Sequence, residues 1–238
     1  MARLTRHQLK QDELSTRLAV IQEFFLQNQK NIAIGTAVVA VALGITLGGF
    51  LYVRSREARA GNAFALALVT FHAPVAQAPP PNSSPNAPHF KTEDEKYQQA
   101  YSQFTEVAGR YSNFSQGKLA RYYAALCERE LGKSAEAEKE LSAIASGRDR
   151  ELAALAQMAL AGVYEQTGRN EQAEKLYREL ENHPTNTVPK AAIQLALAEL
   201  YQKTKPAEAT ALYKKIQTEY PGSAAGSMAS KMLQTGPQ

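Results

Sequence analysis

Four alanines, Ala100, Ala137, Ala173 and Ala209, recur at intervals of 37, 36 and 36 residues, and each is followed four positions later by a large side chain: Phe104, Leu141, Tyr177 and Tyr213. A fixed period of this size admits few folds. One period holds two helices, a single pair cannot cover its own apolar face, and the units must therefore stack. The clearest copy reads Leu160-Ala161-Gly162-Val163-Tyr164, then Gly168, Ala173, Tyr177 and Pro184. There a small residue lets two helix backbones approach, the aromatic fills the groove beside it, and Gly168 turns the chain. The pattern predicts an all-α array of antiparallel hairpins, with helices near 92–109, 116–131, 134–146, 150–167, 170–182, 187–204 and 206–219, and a capping helix at 223–234.

The copies are uneven. The third hairpin keeps Tyr201, Ala209, Tyr213 and Pro221, but has Lys205-Pro206 in place of the turn glycine and a turn one residue shorter. The first keeps Gly132, Ala137 and Leu141, but has Glu128 where the others have Tyr164 and Tyr201, so its packing there must differ. Taken together, Gly132, Gly168, the alanines and the aromatic series resemble tetratricopeptide repeats, whose ordinary unit is about 34 residues. The resemblance implies a tetratricopeptide-like α-solenoid that binds other proteins.

A second feature lies upstream. Residues 32–53 read IAIGTAVVAVALGITLGGFLYV, 22 residues without a charge. At about 1.5 Å per residue such a helix crosses a hydrocarbon core of about 30 Å. A cleaved signal would have a shorter apolar stretch, and Arg54, Arg56 and Arg59 separate this one from the small-residue site at Ala58-Arg59-Ala60. The expected organisation is an amphipathic tail (1–31), a transmembrane helix (32–53), the first helix of the array (54–72, drawn as 56–72), a Pro-rich disordered insertion (73–91) and the repeats with their cap (92–238). The insertion holds six of the 11 prolines between residues 74 and 88, a composition suited to a spacer rather than a core. Within the span, Gly44 and Gly48 form a small-xxx-small pair through which helices, including those of a homo-oligomer, can approach. In the tail, Leu9, Leu14, Leu18, Ile21 and Phe25 recur at helical spacing, which suits either a membrane surface or a solvated leader.

The net charge of +4 would suggest nucleic acid if it were spread over the array. It is not: residues 1–60 contribute +4, 61–91 add +1, and 92–238 sum to −1. The basic excess flanks the apolar segment, where membrane lipid accounts for it, and no nucleic-acid footprint remains. Lysines and arginines near the span do not settle orientation. Arg17 and Lys30 stand on one side, Arg54, Arg56 and Arg59 on the other, and the whole tail adds Arg3, Arg6 and Lys10.

The order of tail, single span and repeat array, together with Ala19-Val20-Ile21-Gln22-Glu23-Phe24-Phe25 and Asn28 and Lys30 just before the span, resembles the YfgM-like ancillary subunits of the bacterial Sec translocon. That resemblance implies a single-pass protein of the bacterial inner membrane with a cytoplasmic N-terminus and a periplasmic array. Its partners would be the Sec translocon, periplasmic chaperones or exported chains. An envelope-assembly or cell-division scaffold is the alternative within the same binding class.

Catalytic chemistry finds no support in the residue pattern, and the reading is of a non-enzyme without cofactor or metal. His7, His72, His89 and His183 are scattered, and none has the i, i+4 spacing of a helical metal site. Gly132-Lys133-Ser134 lacks the earlier glycine and the preceding strand of a phosphate loop. Cys127 sits among Ala124, Ala125 and Leu126, where a small buried thiol is expected. What remains is recognition along the first helices of the hairpins. By repeat phase, Tyr122, Leu126, Arg129, Met158, Glu165, Glu199 and Gln202 face a partner groove, and their mixture of apolar and charged groups suits an extended peptide or a helix.

Overall fold

The structure is a computed structural model that describes residues 27–76 and 88–235, without the side chain of Ile32. The chain divides into two compact units, 1–56 and 57–238. Nine long helices are described: α1 Gln29–Phe71, α2 Glu93–Arg110, α3 Ser115–Glu130, α4 Ser134–Ala145, α5 Arg150–Gln166, α6 Asn170–Asn182, α7 Lys190–Thr204, α8 Pro206–Glu219 and α9 Ala224–Thr235. The amphipathic tail and most of the Pro-rich insertion lie outside the described residues.

The separate helix expected from residue 56 is instead part of α1, which begins at Gln29. Nothing between Val53 and Ala60 breaks a helix, because Arg54, Arg56, Glu57, Ala58 and Arg59 are all good helix formers. In the first unit, residues 33–53 of α1 are exposed on every side, and an alanine methyl placed at Gly44 or Gly48 would meet nothing within 4 Å. A second shift concerns α7. It starts at Lys190 rather than 187, because Pro189 holds an extended φ, ψ of −72° and 153° and biases the residue before it away from helix.

In the second unit each helix from α2 onward packs on the next, so that the array is continuous from α2 to α9. The lower part of α1 joins it: Ala60, Phe64 and Ala67 are buried with Ala100, Phe104, Val107, Ala120 and Cys127. Phe64, Phe71, Phe104 and Tyr123 form an aromatic knot with ring centres 5.1 to 6.1 Å apart. The two strands of chain flanking the insertion are clipped together where Ala76 N–H donates to Phe90 O (2.9 Å) and Phe90 N–H donates to Pro74 O (3.2 Å).

The periodic alanines occupy one structural position. Ala100, Ala137 and Ala173 have no exposed surface and Ala209 is 2% exposed. The large residue one turn later, Phe104, Leu141, Tyr177 or Tyr213, is buried in every copy, as is Val107, Ile144, Leu180 or Ile216 one turn further. On the first helices of the hairpins, Ala125, Ala161 and Ala198 are likewise buried.

Two turns are closed by glycines. Gly132 and Gly168 have φ of 74° and 76°, a region open to glycine at little cost. The next N–H in each case reaches back to the end of the preceding helix, Lys133 to Glu128 O (2.9 Å) and Arg169 to Tyr164 O (2.7 Å), which satisfies a free carbonyl. The third turn closes differently. Lys205 N–H donates to Tyr201 O (2.7 Å) and Pro206 opens α8 at its first turn, where a missing N–H costs nothing. The shorter turn therefore needs no glycine.

Candidate functional site

Each hairpin turn is tied to the hairpin before it by a polar clasp. In one copy the Arg169 guanidinium donates twice to Glu138 (3.0 and 2.7 Å) and lies 4.4 Å from the centre of the Tyr164 ring. One period later the Tyr201 hydroxyl hydrogen-bonds Glu174, whose carboxylate also accepts from Lys205 Nζ at 3.0 Å, and the same ammonium lies 4.7 Å from the Tyr201 ring. These partners hold the Glu138 and Glu174 carboxyls below their ordinary range: the leading cause is the hydrogen bond from Arg169 in the first and from Tyr201 in the second.

The first copy explains its anomalous glutamate. Tyr101 stands at the repeat position of Glu138 and Glu174, while Glu128 stands at that of Tyr164 and Tyr201, so that tyrosine and carboxylate have exchanged helices. The Tyr101 hydroxyl is turned to Glu128, and Lys133 Nζ lies 5.7 Å from the Tyr101 ring. Glu128 is 7% exposed and one of its oxygens has no hydrogen-bond partner. Burial pushes its carboxyl up, partly opposed by Tyr101.

The residues expected to line a groove, Tyr122, Leu126, Arg129, Met158, Glu165, Glu199 and Gln202, fall on α3, α5 and α7, the first helices of three hairpins. Tyr122 and Leu126 of α3 and Met158 of α5 are half-buried and pack against the hydrophobic clusters, so they serve the core as well as the face. Arg129, Glu165 and Glu199 come together electrostatically around Tyr177. The Tyr177 hydroxyl donates to Glu165 Oε1 at 2.6 Å. Burial and that bond raise its phenol strongly, Glu199 adds to the effect and Arg129 opposes it. Arg129 is held by Glu130 at 3.0 and 2.6 Å and reaches over Gly162, where an alanine methyl would sit 3.4 Å from its Nη1. Glu199 is raised first by burial and next by the like charge of Glu165, with Lys203 opposing. Gln202 is exposed one turn beyond Glu199.

Two members of this face escaped the sequence reading. Leu195 shares the repeat phase of Tyr122 and Met158, and Gly162 shares that of Leu126 and Glu199. The same spacing that selected the others would have found them. A separate cleft of about 730 Å³ opens at the hairpin turns instead, lined among others by Arg169, Asn170, Glu174, Leu200 and Lys205.

The lone thiol is not positioned for chemistry. Cys127 is fully buried, and burial pushes it up to about 12, so its reactive thiolate is scarce near neutrality. Among the described residues no group of three or more His, Cys, Asp or Glu side chains is placed to hold a metal ion.

Comparison with known proteins bears on this architecture. No curated protein matches the chain significantly. Two crystal structures of the nearly identical TPR-like repeats of a protein described as a putative kinesin light chain from Podosopora anserina are similar in fold. One gives 14% identity and a TM-score of 0.51, and a singly substituted form of it gives 15% and 0.52; each match covers 74% of this chain and 84% of the other. At that identity the likeness speaks for the fold alone. Residues 192–223 match a tetratricopeptide repeat. Because the longer match spans residues 22–187, most of the sequence, the chain belongs to the tetratricopeptide repeat-like domain family.

Proposed function

We propose that this protein is a non-catalytic, membrane-anchored adaptor that holds protein partners on the α3, α5 and α7 face of its repeat array. The observation that carries the reading is the exposed, uncharged run of α1 in the same chain as the array. A helix of a water-soluble fold would bury such a stripe, whereas lipid solvates all of it. The buried thiol and the groove of mixed polarity support recognition rather than turnover. The YfgM-like arrangement of tail, span and array supports a place beside the bacterial Sec translocon, with the array in the periplasm among chaperones and exported chains.

Protease added to spheroplasts, with a C-terminal tag followed by immunoblot, tests the orientation. Loss of the tag is the expected result. Protection in intact spheroplasts with digestion on lysis would place the array in the cytoplasm and end the translocon reading. Copurification from mild detergent is expected to recover translocon or chaperone subunits. Their repeated absence would remove that assignment while leaving the adaptor reading in place.

A further inference from the structure

The groove contains two carboxylates whose surroundings are incomplete. Glu165, on α5, accepts one hydrogen bond from Tyr177 at 2.6 Å. Glu199, on α7, belongs to the same electrostatic group, and Lys203, one turn away on its own helix, opposes its charge. Tyr213, on α8 and 4% exposed, feels the charge of Glu199, and its hydroxyl has no hydrogen-bond partner. A buried hydroxyl left without a partner is costly, so an orphan within reach of a carboxylate's charge marks a place where a donor or acceptor is wanted.

The charged groups that act on one another here come from α3, α5 and α7. Arg129 and Glu130 of α3 are already paired at 2.6 Å, Glu165 comes from α5, and Glu199 and Lys203 come from α7. Three carboxylates stand against two cations, and the unmatched charge is negative. Two carboxylates and a phenol are a poor cage for a metal, and no group of three or more suitable side chains occurs among the described residues. They suit an ammonium or guanidinium, which donates several hydrogen bonds to separate oxygens. Alongside them run the partly buried Tyr122, Met158 and Leu195, one from each hairpin.

From this complementarity we infer that the groove takes a polypeptide segment carrying a lysine or arginine, whose charged head sits between Glu165 and Glu199 while its apolar neighbours lie along Tyr122, Met158 and Leu195. This rests on the adaptor reading above and gives its partner a chemistry. Tyr177 fixes Glu165 in position, and the Tyr213 phenol, within electrostatic reach of Glu199, is the buried group left without a partner there.

The test pans the full chain in detergent micelles against a phage-displayed library of random 12-residue peptides, in parallel with the Glu165→Gln/Glu199→Gln double variant. The amides keep the shape and the acceptor for Tyr177, and a matching thermal melt shows that the fold is kept. Enrichment of peptides with a lysine or arginine beside apolar residues is expected, with binding of an enriched peptide to the double variant weakened roughly tenfold and reduced by salt. A Glu165→Lys/Glu199→Lys variant should enrich acidic peptides instead. Enrichment without a basic preference, or binding indifferent to both variants, would overturn the cation site yet leave a peptide-binding adaptor. Absence of any enrichment on the native chain would overturn both.

Discussion

Replacing three glycines by alanine separates three physical effects that the repeat fold uses at different places. Gly117, at the start of α3, is packed so closely that an alanine methyl would lie 2.0 Å from the carbonyl oxygen of Tyr111 and 2.4 Å from its carbon. An ordinary contact needs more than about 3 Å, so backbone has to move by roughly 1 Å. The obstructing carbonyl is not free to move, since it accepts from Phe114 N–H at 2.9 Å, and Tyr111 itself is 6% exposed within the core around Phe104. Overpacking of a core costs about 1 to 3 kcal/mol and a lost backbone hydrogen bond about 0.5 to 1.5, which puts Gly117→Ala at roughly 2 to 4 kcal/mol. Gly132→Ala meets no atom within 4 Å but keeps a φ of 74°, a cost of about 1 to 2 kcal/mol from the left-handed backbone alone. Gly109 has open space and no such φ, and in helix α2 Gly109→Ala is expected to stabilise by up to about 1 kcal/mol. Urea denaturation of the full chain in micelles, followed by circular dichroism, should rank the midpoints Gly109→Ala above native, then Gly132→Ala, then Gly117→Ala. A Gly117→Ala midpoint equal to the native one would refute the close approach of α3 to the Tyr111 carbonyl.

Three further outcomes are expected. Leu141→Ala, at a fully buried position between α4 and α5, should cost about 2 to 5 kcal/mol by the same denaturation assay. Cys127, buried and held up to about 12, should resist iodoacetamide at pH 7.5 in the folded chain and react in urea, as read by mass spectrometry; labelling of the folded chain would show the site to be open. Glu128 is raised from 4.5, so above that value the native chain holds more protons than the unfolded one and stability falls as pH rises through the raised range; Glu128→Gln should therefore raise the melting temperature at pH 7.5 and lose that advantage near pH 4.

The repeat architecture was legible because packing writes itself into sequence at fixed phase. The buried alanine of each second helix cannot grow without separating two backbones, and the bulky residue after it cannot shrink without leaving a void, so both survive at intervals of 36 or 37 residues. The turn glycines were legible for a backbone reason, their positive φ. The beginning of α7 was less so, because periodicity does not say where a proline will hold the chain extended. The continuity of α1 was missed for the opposite cause: charges at Arg54 and Arg56 mark the end of an apolar run but do not end a helix. The clasp at Glu128 was visible only as a mismatch. A one-residue comparison of repeats finds the glutamate out of place, and it takes the paired position of Tyr101 to show that the two partners have traded helices.

That exchange bears on how the array can hold a constant fold and a variable surface. At the packing positions every copy repeats the same size: Ala125, Ala161 and Ala198, or Ala137, Ala173 and Ala209. At the positions beside them the rows diverge, with Leu126, Gly162 and Glu199 in one and Arg129, Glu165 and Gln202 in another. Close packing fixes the size of the first set, whereas the second is held only in part, Leu126 by the cluster around Ala125 and Glu165 by Tyr177, so identity there has more room to vary. The clasp lies between these extremes: it requires a tyrosine, a carboxylate and a cation, but tolerates either helix as the source of the first two. Period breaking that preserves a pairing therefore reads as structure, as at Glu128. Period breaking on the proposed groove rows, as at Glu199, whose opposing cation Lys203 comes from its own helix, is what the proposed recognition of a basic segment would use.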